Sequence, residues 1–142
     1  FRENEVFVGK RNWPDVRAGF KKLDFAPEAR PLPNEPIAKD GHQLAALCRE
    51  HGINHLVYVG FAINWCLLMS PGGMVDMGRY GILCSTIPEA VTAVENKETA
   101  RAEREKSQAL WRVSLNSGFI FGLRDFTRFL RAQARVGRKS KV

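Results

Sequence analysis

HLVYVGFAINWC, residues 55 to 66, is the stretch whose reading decides the fold. Leu56, Val57, Tyr58 and Val59 form an apolar, β-rich run with no polar alternation, the pattern of a strand buried on both faces of a parallel sheet. Gly60 ends the run. Just upstream, Asp40 to Gly52 reads as a helix: Asp40 is an N-cap, Leu44, Leu47 and Cys48 share one face, and Gly52 supplies a left-handed stop. Helix, turn, buried strand and then Cys66 make half of a βαβ layout. They place a thiol at the carboxyl end of a strand, the edge at which open α/β sheets bind ligands. The expected fold is α/β, a parallel sheet with helices on both faces.

Working outward from Cys66, the helix that should follow it meets Ser70, Pro71, Gly72 and Gly73. A proline inside a helix costs about 3 kcal/mol and each glycine about 1 kcal/mol, so this helix is expected to be short or broken. Met74, Met77 and Tyr80 resume an apolar face, with the methionines as core, and Ile82 to Cys84 begin the next buried strand. Glu95 to Leu115 reads as one long charged helix, with Glu98 and Arg101, then Arg101 and Glu105, paired at helical spacing on a solvated face. Leu110, Trp111 and Val113 dock its second half. Gly118 to Leu123 reads as a short strand, and Asp125 as the cap of a helix with Phe126, Phe129, Leu130 and Ala134 on one side.

Toward the other end, Glu5 to Gly9 is a strand candidate. Residues 10 to 36 hold Pro14, Pro27, Pro31, Pro33 and Pro36 and few periodic apolar positions, which predicts a long irregular excursion. One domain is expected over residues 1 to 136, followed by a basic disordered tail over 137 to 142. The 142 residues, with 44% apolar and 26% charged, are those of an ordinary globular protein. No run of about 18 apolar residues exists to span a bilayer, so no membrane partner is expected.

Three cysteines at no motif spacing argue against a disulfide framework and fit a reducing, cytoplasmic compartment. Cys48 and Cys84 fall on apolar faces and read as small core residues. Cys66 follows a strand end at the start of a helix, where the dipole and free N–H groups favour a thiolate. The net charge of +7 gathers near the two ends, without interleaved aromatic residues or a recognition motif, so no nucleic-acid partner is expected. His42, His51 and His55 lack metal-ligand spacing, and neither a metal nor another cofactor is expected.

GINHLVYVGFAINWC, residues 52 to 66, resembles the signature of the isochorismatase-like cysteine hydrolases, the superfamily of nicotinamidases and N-carbamoyl-amide hydrolases. The resemblance covers residues 31 to 95, and the rest loosely. It implies a three-layer α-β-α fold of Rossmann-like topology, with Cys66 as nucleophile. It also implies a cis peptide at Phe61–Ala62 and an oxyanion hole made from the amides of Ala62 and Cys66. The family places its catalytic lysine at the end of a short strand after a proline-rich turn. PLPNEPIAK, residues 31 to 39, matches that approach and points to Lys39, while EVFVGK, residues 5 to 10, points to Lys10.

The family's catalytic Asp, at the end of a first strand, has no counterpart in the sequence. With Phe1 opening the chain, the domain is expected to lack its N-terminal part. The implied function is hydrolysis of a small-molecule amide or related C–N bond through a thioester. A catalytically inactive binding or assembly module on the same fold stays open as the alternative. Without the Asp strand, the Cys66 strand would lack a neighbour, which makes a homo-oligomer the expected assembly.

Overall fold

The computed structural model describes the backbone of residues 9 to 139 and the side chains of residues 9 to 134. The chain divides into two compact units, Phe1–Ile37 and Ala38–Val142. In the first unit, helix α1 (Gly9–Phe20) carries Pro14 inside it and buries no residue, and a 3-10 turn follows at Pro27–Ala29. The irregular excursion is therefore corrected over its first part. Pro27, Pro31, Pro33 and Pro36 all lie after α1, and averaging them over the whole segment masked a helix that tolerates its one proline. The strand candidate Glu5 to Gly9 lies outside the described residues except for Gly9, which opens α1.

The second unit begins with helix α2 (Gly41–Glu50), and its ends are made as the local sequence dictates. The Asp40 carboxylate accepts the Gln43 N–H at 2.9 Å. At the other end the Ile53 N–H reaches the Cys48 carbonyl at 2.7 Å and the Gly52 N–H reaches Arg49 at 3.3 Å. Gly52 holds the left-handed φ of 63° that this stop requires.

Strands β1 (His55–Phe61) and β2 (Leu83–Thr92) pair in parallel. The register runs from His55 opposite Leu83 to Tyr58 opposite Thr86, breaks, and resumes with Gly60 opposite Val91 and Phe61 opposite Thr92. Across the break β2 carries Ile87, Pro88, Glu89 and Ala90 where β1 carries only Val59. Pro88 has no N–H to give a ladder, so it sits where the ladder is interrupted. The far edge of β2 takes the segment after residue 116: the Cys84 N–H donates to Ser117 (2.8 Å), Thr86 to Phe119 (3.1 Å), and Phe121 back to Thr86 (2.9 Å). Ser85 reinforces that seam, its hydroxyl accepting the Phe119 N–H at 2.8 Å and lying 2.6 Å from His55 Nε2.

Cys84, Ser85, Thr86 and Ile87 are buried, as befits a strand paired on both sides. β1 departs from the sequence reading. Its first four residues are half-buried, while Val59 is 52% and Phe61 64% exposed. An apolar run reports what a strand can bury, and among the described residues β1 has a neighbour on one edge only.

The helix after β1 is short, as the Ser-Pro-Gly-Gly run requires: α3 (Cys66–Met69) ends at Ser70 and α4 (Met74–Gly78) begins after Gly73. Ala45, Cys48, Ile63, Leu68, Met74, Met77, Cys84, Val91, Ala109 and Val113 form the core, with both methionines fully enclosed. The long helix expected from Glu95 is corrected to α5 (Arg104–Asn116). Upstream, the Asn96 side chain accepts the N–H groups of Glu98 (2.8 Å) and Thr99 (3.0 Å), a local turn that competes with helix. The Glu95 carboxylate accepts from Glu105 (3.2 Å) and Lys106 (3.0 Å), capping α5 from outside it. Ala109 and Val113 dock α5, and Trp111, expected to pack, is 59% exposed.

Helix α6 (Leu123–Lys139) starts before Asp125, which lies in its first turn and pairs with Arg128 at 2.9 Å. Its run of arginine, alanine and glutamine keeps it helical through Lys139, past the expected start of the disordered tail at residue 137. No helix among the described residues is long and apolar enough to cross a membrane.

Candidate active site

The chain leaves β1 through a sequence of fixed turns. Gly60 takes a φ of 112°, and the Phe61–Ala62 peptide, the bond singled out in the sequence, is cis. Ala62 and Ile63 are then completely buried, with the Ile63 N–H on the Thr92 carbonyl at 2.8 Å. Asn64 continues the pairing with its side chain. Its carboxamide donates to the Val94 carbonyl and accepts the Val94 N–H, both at 2.9 Å. The Ala62 carbonyl takes the N–H groups of Trp65 and Leu67, each at 3.1 Å. Cys66 is thus held between two residues tied to one buried carbonyl.

Cys66 is exposed at the first position of α3, while Cys48 and Cys84 are buried. Burial raises the Cys48 thiol and pushes Cys84 up to about 11, so both stay protonated at neutral pH. Leu68 anchors α3 in the core. Nearby in the sequence, Phe61, Trp65 and Met69 are apolar and exposed, while Leu67 is half-buried. The two proposed oxyanion donors differ in access, because Ala62 is enclosed and Cys66 faces solvent.

Tyr58 holds the loop that follows α3. Its hydroxyl donates to the Gly72 carbonyl at 2.6 Å, the Gly72 N–H donates to Asp76 at 2.8 Å, and burial keeps the phenol firmly protonated. The Thr86 hydroxyl donates to the Tyr58 carbonyl at 2.7 Å, locking this residue to β2. Sequence reading treated Tyr58 and Asn64 as strand and motif residues only; their partners, Gly72 and Val94, lie far along the chain.

Neither lysine lies in a strand. Lys39 is exposed, just before the cap of α2, and lies in no strand; its N–H donates to Gln43 Oε1 at 2.8 Å. Lys10 is exposed in α1, within the other unit. Both had been placed at strand ends, a position that the capping of α2 and the helix α1 replace. A cleft of about 410 Å³ opens at the far end of α3, lined by Asp40, Met69, Ser70, Pro71, Asp76 and Tyr80 but not by Cys66. Among the described residues no three His, Cys, Asp or Glu side chains come together as a metal site would need.

No protein-family model matches the chain, and no curated protein resembles it closely enough to match. Among solved structures it is similar to an isochorismatase-like hydrolase from Alkaliphilus metalliredigens, at 19% identity and a TM-score of 0.58. The two share a fold. The likeness covers 75% of this chain and 57% of that one, so the chain spans little more than half of its neighbour's length. At this identity the comparison establishes a shared α/β fold and nothing finer.

Proposed function

We propose that this chain carries the nucleophile-bearing part of a cysteine hydrolase acting on a small amide or related C–N bond. The observation that carries the reading is the placement of Cys66: exposed, at the start of α3 beyond the carboxyl end of β1, four residues after Ala62 of the cis Phe61–Ala62 bond, in the fold of an isochorismatase-like hydrolase. In the proposed reaction the Cys66 sulfur, as thiolate, attacks the amide carbonyl carbon. The oxyanion that forms is met by the backbone N–H groups of Cys66 and Ala62. Collapse breaks the C–N bond, and the amine leaves with the proton that the thiol gave up. Water then hydrolyses the thioester, releasing the acid and restoring the thiol. A carboxylate would normally move that proton and a lysine would orient it, and Lys39, after the proline-rich turn, is proposed for that part ahead of Lys10.

The test is trapping of the acyl-enzyme. Incubation with p-nitrophenyl acetate should add one acetyl group to Cys66, located by peptide mass spectrometry, and none to a Cys66→Ala variant. Iodoacetamide should modify Cys66 faster in the folded chain than in the urea-unfolded chain. Equal rates in the two states, with no acyl adduct, would overturn the nucleophile assignment and favour a module without catalysis.

A further inference from the structure

From Arg128 to Ala134 every residue of α6 is exposed. Helices in folded proteins gain most of their stability by burying one face, and α6 has a face to bury. At about 100° per residue, Leu123, Phe126, Phe129, Leu130 and Ala134 fall on one arc and Arg124, Arg128 and Arg131 on the other. Among the described side chains of α6, only the first turn is docked. Phe126 stacks on Phe121 with ring centroids 5.9 Å apart, and the Leu123 N–H reaches Glu89 at 3.3 Å. Beyond that turn Phe129 is 56% and Leu130 49% exposed. Arg124, Thr127, Arg128, Arg131 and Ala132 line a shallow groove of about 370 Å³. The helix sequence sets Arg124, Arg128, Arg131, Arg135, Arg138 and Lys139 against Asp125 alone.

We propose that α6 is an interfacial helix that lies on an anionic lipid bilayer. Phe129 and Leu130 enter the boundary between headgroups and acyl chains, and the arginines meet lipid phosphates. Arginine stems are long enough to cover apolar surface while their guanidinium groups reach the charged layer. Two features select a bilayer over other anionic partners. A nucleic acid would neutralise the arginines but leave Phe129 and Leu130 in water. An acidic protein would have to supply a groove shaped to this helix, whereas a lipid boundary accepts any apolar arc flanked by positive charge. Lying on a membrane needs no spanning segment, and the proposal does not depend on the chemistry of Cys66.

The experiment is co-sedimentation of the full chain with sucrose-loaded vesicles of phosphatidylcholine alone or mixed with phosphatidylserine, over a series of salt concentrations. The expected result is partition onto the mixed vesicles that weakens as salt rises, with little onto the neutral ones. Replacing the three arginines together, Arg124→Gln, Arg128→Gln and Arg131→Gln, should lower the partition coefficient about 100-fold, roughly fivefold for each charge. Phe129→Ser with Leu130→Ser should lower it about tenfold or more. These positions are on the surface, so circular dichroism and the thermal midpoint should match the wild type. No sedimentation, equal binding to both vesicle types, or insensitivity of the wild type to salt would overturn the proposal. So would full binding by the Phe129 and Leu130 variant, which would mean that charge alone is recognised, as by nucleic acid or an acidic protein.

Discussion

Tyr58 holds the loop after α3 with one oxygen. Its hydroxyl is the donor for the Gly72 carbonyl in the loop that joins α3 to α4, so Tyr58→Phe leaves a partly buried carbonyl without a partner. Such a loss costs about 1 to 3 kcal/mol, and urea unfolding of the variant should show it. The same variant should speed amide hydrogen exchange at Gly72 and Gly73, an effect that general destabilisation would not confine to that loop. Gly118 matters for the atom that it lacks. A Cβ there would stand 2.5 Å from the Cys84 carbonyl oxygen and 2.6 Å from Ser85 Oγ, so the segment after α5 could not approach β2 as it does. Gly118→Ala should therefore cost about 1 to 3 kcal/mol, measured as a lowered denaturant midpoint, and an unchanged midpoint would refute this close approach. At this scale the sequence made Cys66 and the Phe61–Ala62 bond legible, because a glycine, an alanine, an asparagine and a cysteine stand in fixed register after one strand. It left the lysine open between Lys39 and Lys10. A lysine's position relative to a distant thiol depends on how intervening elements pack; Lys39 sits in the turn ahead of the α2 cap and Lys10 in α1, neither in a strand.

Among the elements, α5 depends on a carboxylate outside itself. Partial desolvation pushes Glu95 up, but hydrogen bonds from Thr99 and from the Lys106 and Glu105 amides outweigh it and hold the carboxyl below its ordinary value. A group lowered in this way stabilises the folded state above its unfolded pKa, about 4.3 for glutamate, and loses that contribution as pH falls through the lowered value. Glu95→Gln should be less stable than wild type at neutral pH, and the gap should close on acidification below that range. Urea titrations of both proteins at the two pH values measure it; a gap independent of pH would remove the ionic part of the cap. The helix itself was misread from Glu95 onward for a related reason. Charged residues at helical spacing suit a helix, yet Asn96 and Glu95 bond backbone groups elsewhere and hold their own stretch out of it. α2 was read correctly because its signals, Asp40 and Gly52, act within one turn of themselves. α1 was lost to an average over prolines that mostly follow it.

For the molecule as a whole, the open edge of β1 is the feature with the widest reach. Among the described residues this edge is unpaired, and Val59 and Phe61 present apolar surface beside it. Unprotected edges recruit other strands, and a charge placed on one discourages this. The full chain should self-associate with rising concentration, as read by light scattering, and Val59→Lys should reduce the association while leaving circular dichroism unchanged. A chain that stays monomeric at every concentration would show that the edge is otherwise guarded. The register break in β2 bears on motion instead. It divides the β1–β2 ladder into a longer block from His55 to Tyr58 and a short clasp at Gly60 and Phe61, to which the Ile63 and Asn64 contacts with Thr92 and Val94 are added. The two blocks are joined by residues that share no ladder, so a disturbance in one is poorly transmitted to the other. The clasp should therefore open more readily than the longer block, so that amide exchange over residues 60 to 64, on the loop leading to the thiol, outpaces exchange over residues 55 to 58.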